Sequence, residues 1–201
     1  MNTNMILKLN MPDSNYLAKR TDASIPSIMH ARPALMLMTD FQGKPPVTVT
    51  ANIHIDTALE QMIDAGVRLL FVVDAENNLL GSITSYDIQG EKPMLYMQSQ
   101  DCRIGICSRS DIEVQDIMTP VMKWRTVRYA SLVDATLNDI ANTFQSLGQH
   151  HIIVIEPLAG KDRVIVRGLF SLTDLERALG ETFTVNKTAD SFFEIERALN
   201  T

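Results

Sequence analysis

Two sets of residues in this chain combine a glycine, a hydroxyl and a carboxylate at the same spacing. The first is Gly81, Thr84 and Asp87; the second is Gly168, Ser171 and Asp174. In each set the hydroxyl and the acid fall where apolar strand sequence changes to helical sequence. Free N–H groups at a helix start suit phosphate, whereas a carboxylate repels phosphate and accepts hydrogen bonds from ribose hydroxyls, as in dinucleotide folds. The spacing therefore predicts contact with a sugar, with phosphates directed towards basic side chains.

The same residues also have a purely structural interpretation. A Ser or Thr at a helix start, with an acid three residues later, forms a capping box whether or not a ligand binds. At this point both interpretations are open. The recurrence of the pattern inside two otherwise matching segments favours a ligand contact at one site or more.

Each set closes a longer segment, and the two segments have the same order of parts. A short β-prone stretch is followed by an amphipathic helix, a buried strand, a turn, a second strand and the start of another helix. The predicted helix faces comprise Ala58, Leu59, Met62, Ile63 and Gly66 in the first copy and Leu137, Ile140, Ala141 and Phe144 in the second. The predicted central strands are Leu69 to Val73 and Ile152 to Ile155.

The spacing between the copies predicts where the second copy is longer. The offset between equivalent residues grows by four between Leu59/Leu137 and Val72/Val154, and by five up to Asp87/Asp174. Four residues are about one helical turn, which predicts a longer helix in the second copy. The five residues fall in a hairpin turn, where insertions are tolerated.

These patterns predict an α/β (α+β) protein made of two βαββα repeats. The predicted divisions are an N-terminal arm (1–32), repeat 1 (33–90), a linker (91–113) with a short helix at Pro93, repeat 2 (114–180) and a helical tail (181–201). In the tail, Thr188 is expected to cap a helix that carries Phe192, Ile195 and Leu199 on one side.

Composition narrows the classes of function. A net charge of −6 and a pI near 5.2 disfavour binding to nucleic acid or to anionic lipid. Cys102 and Cys107 match neither a disulfide framework nor a zinc site, and no stretch approaches the roughly 20 apolar residues of a membrane span. We expect a cytoplasmic protein with reduced thiols.

At the level of whole motifs the chain resembles a tandem pair of CBS domains, also called a Bateman module. The motifs are DIMTP at 116–120, the fainter LMLMTDF at 35–41, the strands FVVD and IVIE, and the two Gly-x-x-Thr/Ser-x-x-Asp endings. The resemblance runs from about Pro33 to Gly180. It implies two repeats that pack face to face through their small sheets about a pseudo-twofold axis, with two clefts that bind AMP, ADP, ATP or S-adenosylmethionine in many members.

The resemblance also implies site residues, by position. In one cleft Thr84 and Asp87 would act with Arg125, Thr126, Val127, His150 and His151. In the other, Ser171 and Asp174 would act with Val47, Thr48, Val49 and Arg68. For the histidines, a structural role at the strand edge is as well supported as contact with phosphate, and metal binding is not expected.

Three functions follow from these observations. The first is a regulatory sensor that binds an adenine nucleotide or a related adenosyl ligand and changes its conformation, acting through an effector protein or as a homodimer. The second is a CBS scaffold that binds no ligand and works through dimerisation and partner proteins. The third, an enzyme, is not expected, because no catalytic set, metal cluster, P-loop or GxGxxG element is found, and no catalytic cofactor is implied.

Overall fold

The computed structural model describes residues 6–7, 28–99, 108–158 and 163–184. Its strands are β1 (Ile6–Leu7), β2 (Thr39–Asp40), β3 (Thr48–Thr50), β4 (Leu69–Val73), β5 (Leu79–Thr84), β6 (Thr119–Pro120), β7 (Thr126–Arg128), β8 (His151–Pro157) and β9 (Val164–Ser171). Its α-helices are α1 (Ile55–Ala65), α2 (Ser85–Gln89), α3 (Lys92–Gln98), α4 (Val114–Ile117), α5 (Leu137–Leu147) and α6 (Leu172–Leu179). Four short 3₁₀ helices lie at Ala34–Met36, Arg109–Asp111, Val121–Lys123 and Tyr129–Leu132.

The helices described here are too short or too polar to cross a membrane. The elements divide between two compact units. The first unit contains residues 6–7 and 45–124, and the second contains residues 28–44 together with 125–184.

The first unit is a four-stranded sheet in the order β3-β4-β5-β6, with its helices on one face. β3 is parallel to β4, and the hairpin of β4 and β5 is antiparallel, as the alternation of apolar runs and turn residues predicts. Ile55, Ala58 and Met62 of α1 pack with Leu70, Val72 and Ile83 of the sheet. Strand residues of one parity thus face the helices, while Leu69 and Phe71 lie on the opposite face.

The second unit repeats this arrangement with β7, β8 and β9. β7 is parallel to β8, and β8 pairs antiparallel with β9. Its core joins Ile140 and Phe144 of α5 to Ile152, Val154 and Phe170 of the sheet. The predicted α/β class and the order of elements are confirmed in both units.

A short segment before the first repeat belongs to the core of the second unit. Ala34 is completely buried there, and β2 pairs antiparallel with β9 at Gly168 and Leu169. Arg167 forms ion pairs with Asp40 and, at 2.9 Å, with Glu156. Burial disfavours the charge on Arg167, but the hydrogen bond that it donates to Asp40 and the charges of Asp40 and Glu156 nearby together raise the pKa of the guanidinium.

The boundaries of the compact units therefore differ from those of the predicted repeats. Residues 33–44, predicted within repeat 1, lie in the second unit, and residues 114–124, predicted within repeat 2, lie in the first. Residues 28–32 of the N-terminal arm also belong to the second unit. The predicted helix at Pro93 is α3, whereas the predicted helix after Thr188 lies outside the described residues.

The longer helix predicted for the second copy is wrong. α1 and α5 both have 11 residues, and both end at a left-handed glycine, Gly66 and Gly148. The additional residues instead form the 3₁₀ helix Tyr129–Leu132 between β7 and α5. The structural counterpart of Leu59 is Ala141 and not Leu137, because the apolar periodicity of a helix permits alignments that are shifted by one turn.

Candidate functional site

In the first unit, Thr84 and Asp87 are bonded to each other. Thr84 ends β5 and caps α2: its Oγ1 accepts a hydrogen bond from the Asp87 N–H at 3.2 Å. In return, Asp87 Oδ2 accepts bonds from the backbone N–H of Thr84 at 2.8 Å and from its hydroxyl at 2.7 Å. The capping box is therefore complete without a ligand.

The second carboxylate oxygen of Asp87 is held by a lysine. Lys92 Nζ lies 2.9 Å from Asp87 Oδ1 and also donates to the carbonyl of Ile117 at 3.0 Å and to Thr119 Oγ1 at 3.1 Å. The lysine comes from α3, whereas Ile117 ends α4 and Thr119 begins β6. The Asp87 side chain is only 17% exposed, so its acceptor positions are largely taken by the protein itself.

The equivalent residues of the second unit are arranged differently. Ser171 precedes α6, but its side chain makes no capping hydrogen bond. Asp174 Oδ1 accepts one long bond, 3.3 Å, from Arg177 Nη1, and Arg177 is 76% exposed while Asp174 is 42% exposed. This hydroxyl and this carboxylate retain acceptor positions for a ligand.

Ser171 lies on the same face of its sheet as two other polar residues, His151 and Thr126. Thr126 pairs with Ile153, which pairs with Leu169, and His151 pairs with Ser171. Paired residues share a face and side chains alternate along each strand, so Thr126, His151 and Ser171 point away from the helices. At the equivalent positions of the first unit the residues are Thr48, Leu69 and Thr84, so a histidine occurs at these positions in the second unit and not in the first.

The hydroxyl group of Thr126 is in an unusual environment. The side chain is completely buried, and its hydroxyl has no hydrogen-bond partner among the described residues. An unsatisfied buried hydroxyl costs roughly 1–3 kcal/mol. Such a cost is commonly found where a ligand or water completes the bonding.

The remaining predicted residues also lie at the edges of the two sheets. Val47, Thr48, Val49 and Arg68 lie with Thr84 and Asp87 in the first unit: Arg68 accepts the N–H of Ser85 at its carbonyl, and its guanidinium contacts the Tyr86 hydroxyl at 3.3 Å. Arg125, Val127, His150 and His151 lie in the second unit with Ser171, where the carbonyl of His150 accepts the N–H of Leu172 at 3.0 Å. Val49 and Val127 face the helical cores. Within a unit, the histidines thus accompany Ser171 and Asp174, and Arg68 accompanies Thr84 and Asp87.

Lys92 was missed by sequence reasoning. It is separated from Thr119 by 27 positions, so no local pattern indicates the contact. In the parts of the chain that the structure describes, no group of three or more His, Cys, Asp or Glu is arranged to hold a metal ion.

Fold and site together define a protein with two copies of one small α/β unit, each with a hydroxyl and an acid where its last strand passes into a helix. Residues 37–91 match the CBS domain family model. Residues 37–91 are therefore similar to a CBS domain, and the resemblance to a tandem CBS pair is confirmed by this match. Residues 125–184 repeat the same order of elements.

Known proteins with similar sequence or structure are distant. An uncharacterized protein of Methanopyrus kandleri is 32% identical over 63 residues, which cover 31% of this chain and 32% of that protein, so the match spans about a third of this curated relative. The crystal structure of an uncharacterized conserved protein from Pyrococcus horikoshii is 23% identical, with a TM-score of 0.49, over 78% of this chain and 98% of that one. The crystal structure of CBSX2, a CBS-pair protein from Arabidopsis thaliana, in complex with AMP is 21% identical, with a TM-score of 0.46, over 73% and 95%.

Proposed function

We propose that the chain is a regulatory module that binds an adenine nucleotide or a related adenosyl ligand and transmits binding through a change of conformation. In this proposal the Asp174 carboxylate accepts the ribose hydroxyls, and the hydroxyls of Ser171 and Thr126 supply further polar contacts. The phosphates extend towards the basic side chains at the strand ends of the same unit, His150, His151 and Arg125. Arg68 stays a proposed contact to the ligand. Val47, Thr48 and Val49 stay proposed contacts to the ligand.

One observation carries the proposal: the polar groups of the second unit's edge are not satisfied by the protein in the way their counterparts are. Ser171 makes no capping bond, Asp174 has one long, exposed partner, and the buried Thr126 hydroxyl has none among the described residues. Groups of this kind are held ready for an external donor or acceptor. The AMP complex of the CBS-pair protein named above supports adenine nucleotides as the first ligands to test.

The proposal predicts thermal stabilisation by at least one of AMP, ADP, ATP and S-adenosylmethionine. A ligand present at 100 times its dissociation constant raises the free energy of unfolding by about 2.7 kcal/mol, which is a shift of several degrees in Tm for a chain of this size. We expect Asp174→Ala to abolish the shift, since it removes the ribose acceptor. Asp134→Ala, at an exposed acid of the same unit, is the matched control and should keep it.

A scaffold that binds no nucleotide is the second candidate. It is favoured by three large apolar side chains on the outside of the first unit, Ile63, Met94 and Leu95, which are 70%, 56% and 59% exposed. Such a surface suits contact with a second copy or with another protein. If none of the four ligands changes Tm, the nucleotide proposal fails and the scaffold is favoured.

A further inference from the structure

Lys92 is the feature of the first unit that the proposed function leaves unexplained. It reaches from α3 to Asp87, Ile117 and Thr119, and so ties together α2, α3 and the segment that leads into β6. Its ammonium group has three N–H donors, and the three acceptors lie at 2.9, 3.0 and 3.1 Å. The side chain is therefore fully committed within the unit.

The consequence for Asp87 follows from counting its acceptor positions. A carboxylate offers about four, two on each oxygen. Oδ2 already accepts two bonds from Thr84, and Oδ1 accepts the bond from Lys92. About one position on Oδ1 remains, whereas two vicinal ribose hydroxyls need two. By the same count, Asp174 has one position taken by Arg177 and the others available.

From this difference we infer that Lys92 is an internal occupant of the first acid position, which keeps a ribose away from Asp87 and limits the module to one adenosyl ligand per chain, bound through Asp174. This inference rests on the proposed function and adds the occupancy of its sites. Lys92 acts as a specificity-determining residue: it substitutes for a ligand in one repeat and leaves the other repeat responsive.

The inference is tested first by the stoichiometry of AMP binding in isothermal titration calorimetry. The wild type should bind one AMP per chain, Asp87→Ala should keep the same affinity, and Lys92→Met should bind two because both positions on Asp87 Oδ1 become available. Lys123→Met, at an exposed lysine of the same unit, is the control and should bind one. Two AMP per wild-type chain, a loss of affinity in Asp87→Ala, or one AMP in Lys92→Met would each overturn the inference while leaving the proposed function in place.

A second measurement judges the lysine without any ligand. Acylation of amines by an N-hydroxysuccinimide ester, followed by mass spectrometry, should modify Lys92 several-fold more slowly than Lys123 in the wild type. Asp87→Asn should raise the rate at Lys92 and leave Lys123 unchanged. Equal rates at the two lysines in the wild type would overturn the inference, whereas absence of a Tm shift with all four adenosyl ligands would overturn the proposed function alone.

Discussion

At the scale of single residues, the two hydroxyl-x-x-Asp motifs have diverged in what they bond. The Thr84 hydroxyl both caps α2 and donates to Asp87, while the Ser171 side chain makes no cap bond to α6. The same four-residue pattern is therefore a structural element in one repeat and an uncommitted polar pair in the other. A single sequence motif supports both, because a Ser or Thr hydroxyl can bond to the nearby backbone or leave that bond unmade.

This divergence predicts unequal effects of alanine. Thr84→Ala removes the side-chain acceptor at an N-cap, a loss that costs about 0.5–2 kcal/mol. Ser171→Ala removes no such bond, so its effect on the free energy of unfolding should be close to zero. Urea denaturation followed by circular dichroism measures both, and equal losses in the two variants would contradict the bonding described here.

The residues of the candidate site show which parts of it can be predicted from the sequence. Thr84, Asp87, Ser171 and Asp174 were identifiable because their spacing recurs and because local chain geometry alone brings a residue and its third neighbour together. Lys92 and the unpartnered hydroxyl of Thr126 were not, since each depends on segments distant in the chain. A sequence pattern indicates contacts between residues that are close in the chain. The hydrogen bonds available at this site also depend on contacts between distant segments.

At the scale of elements, Gly81 and Gly168 leave room for the short strands β6 and β2 to pair with β5 and β9. Gly81 and Gly168 lie within β5 and β9. The neighbouring strands pass directly over them: a Cβ at Gly81 would collide with the carbonyl oxygen of Thr119, and a Cβ at Gly168 with that of Thr39. Each glycine is thus required by close approach of backbone, because neither has a positive φ.

The collision predicts that Gly81→Ala and Gly168→Ala each lower the free energy of unfolding by about 1–3 kcal/mol, the usual cost of overpacking. Gly43→Ala is the control, because its nearest atom would be 3.8 Å away, and it should unfold close to wild type. Thermal and urea unfolding of the three variants checks this. A Gly81 or Gly168 variant as stable as the Gly43 variant would show that β6 or β2 is not packed as described.

The helices and central strands were predictable because burial imposes a period on the sequence, as in α1 with Ile55, Ala58 and Met62 on its buried face. β2 and β6 have two residues each, too few for any period. β2 pairs with a strand far along the chain, through Thr39 with Leu169 and Asp40 with Gly168, and β6 pairs through Thr119 with Ser82 and Pro120 with Gly81. Packing, and not neighbouring sequence, therefore decides the unit to which each belongs.

At the scale of the whole molecule, the second unit combines two separate parts of the chain, residues 28–44 and residues 125–184. Residues 28–44 supply Ala34 to the core, β2 to the sheet and Asp40 to Arg167. Without them the buried Arg167 would keep Glu156 as its remaining carboxylate partner and the core would lose a filled position. The stability of the second unit therefore depends on a segment that is separated from the rest of that unit by residues 45–124.

We predict that a chain beginning at residue 45 loses protection in the second unit selectively. Amide hydrogen exchange should become faster in β8 and β9, since the edge of β9 at Gly168 and Leu169 loses its antiparallel partner and a buried ion pair loses one member. β4 and β5 should exchange more nearly as in the full chain, because their pairing and their core come from residues 45–124. A chain beginning at residue 28 is the matched control and should protect β8 and β9 far better; if the two truncated chains exchanged alike there, residues 28–44 would not be the part that holds the second unit together.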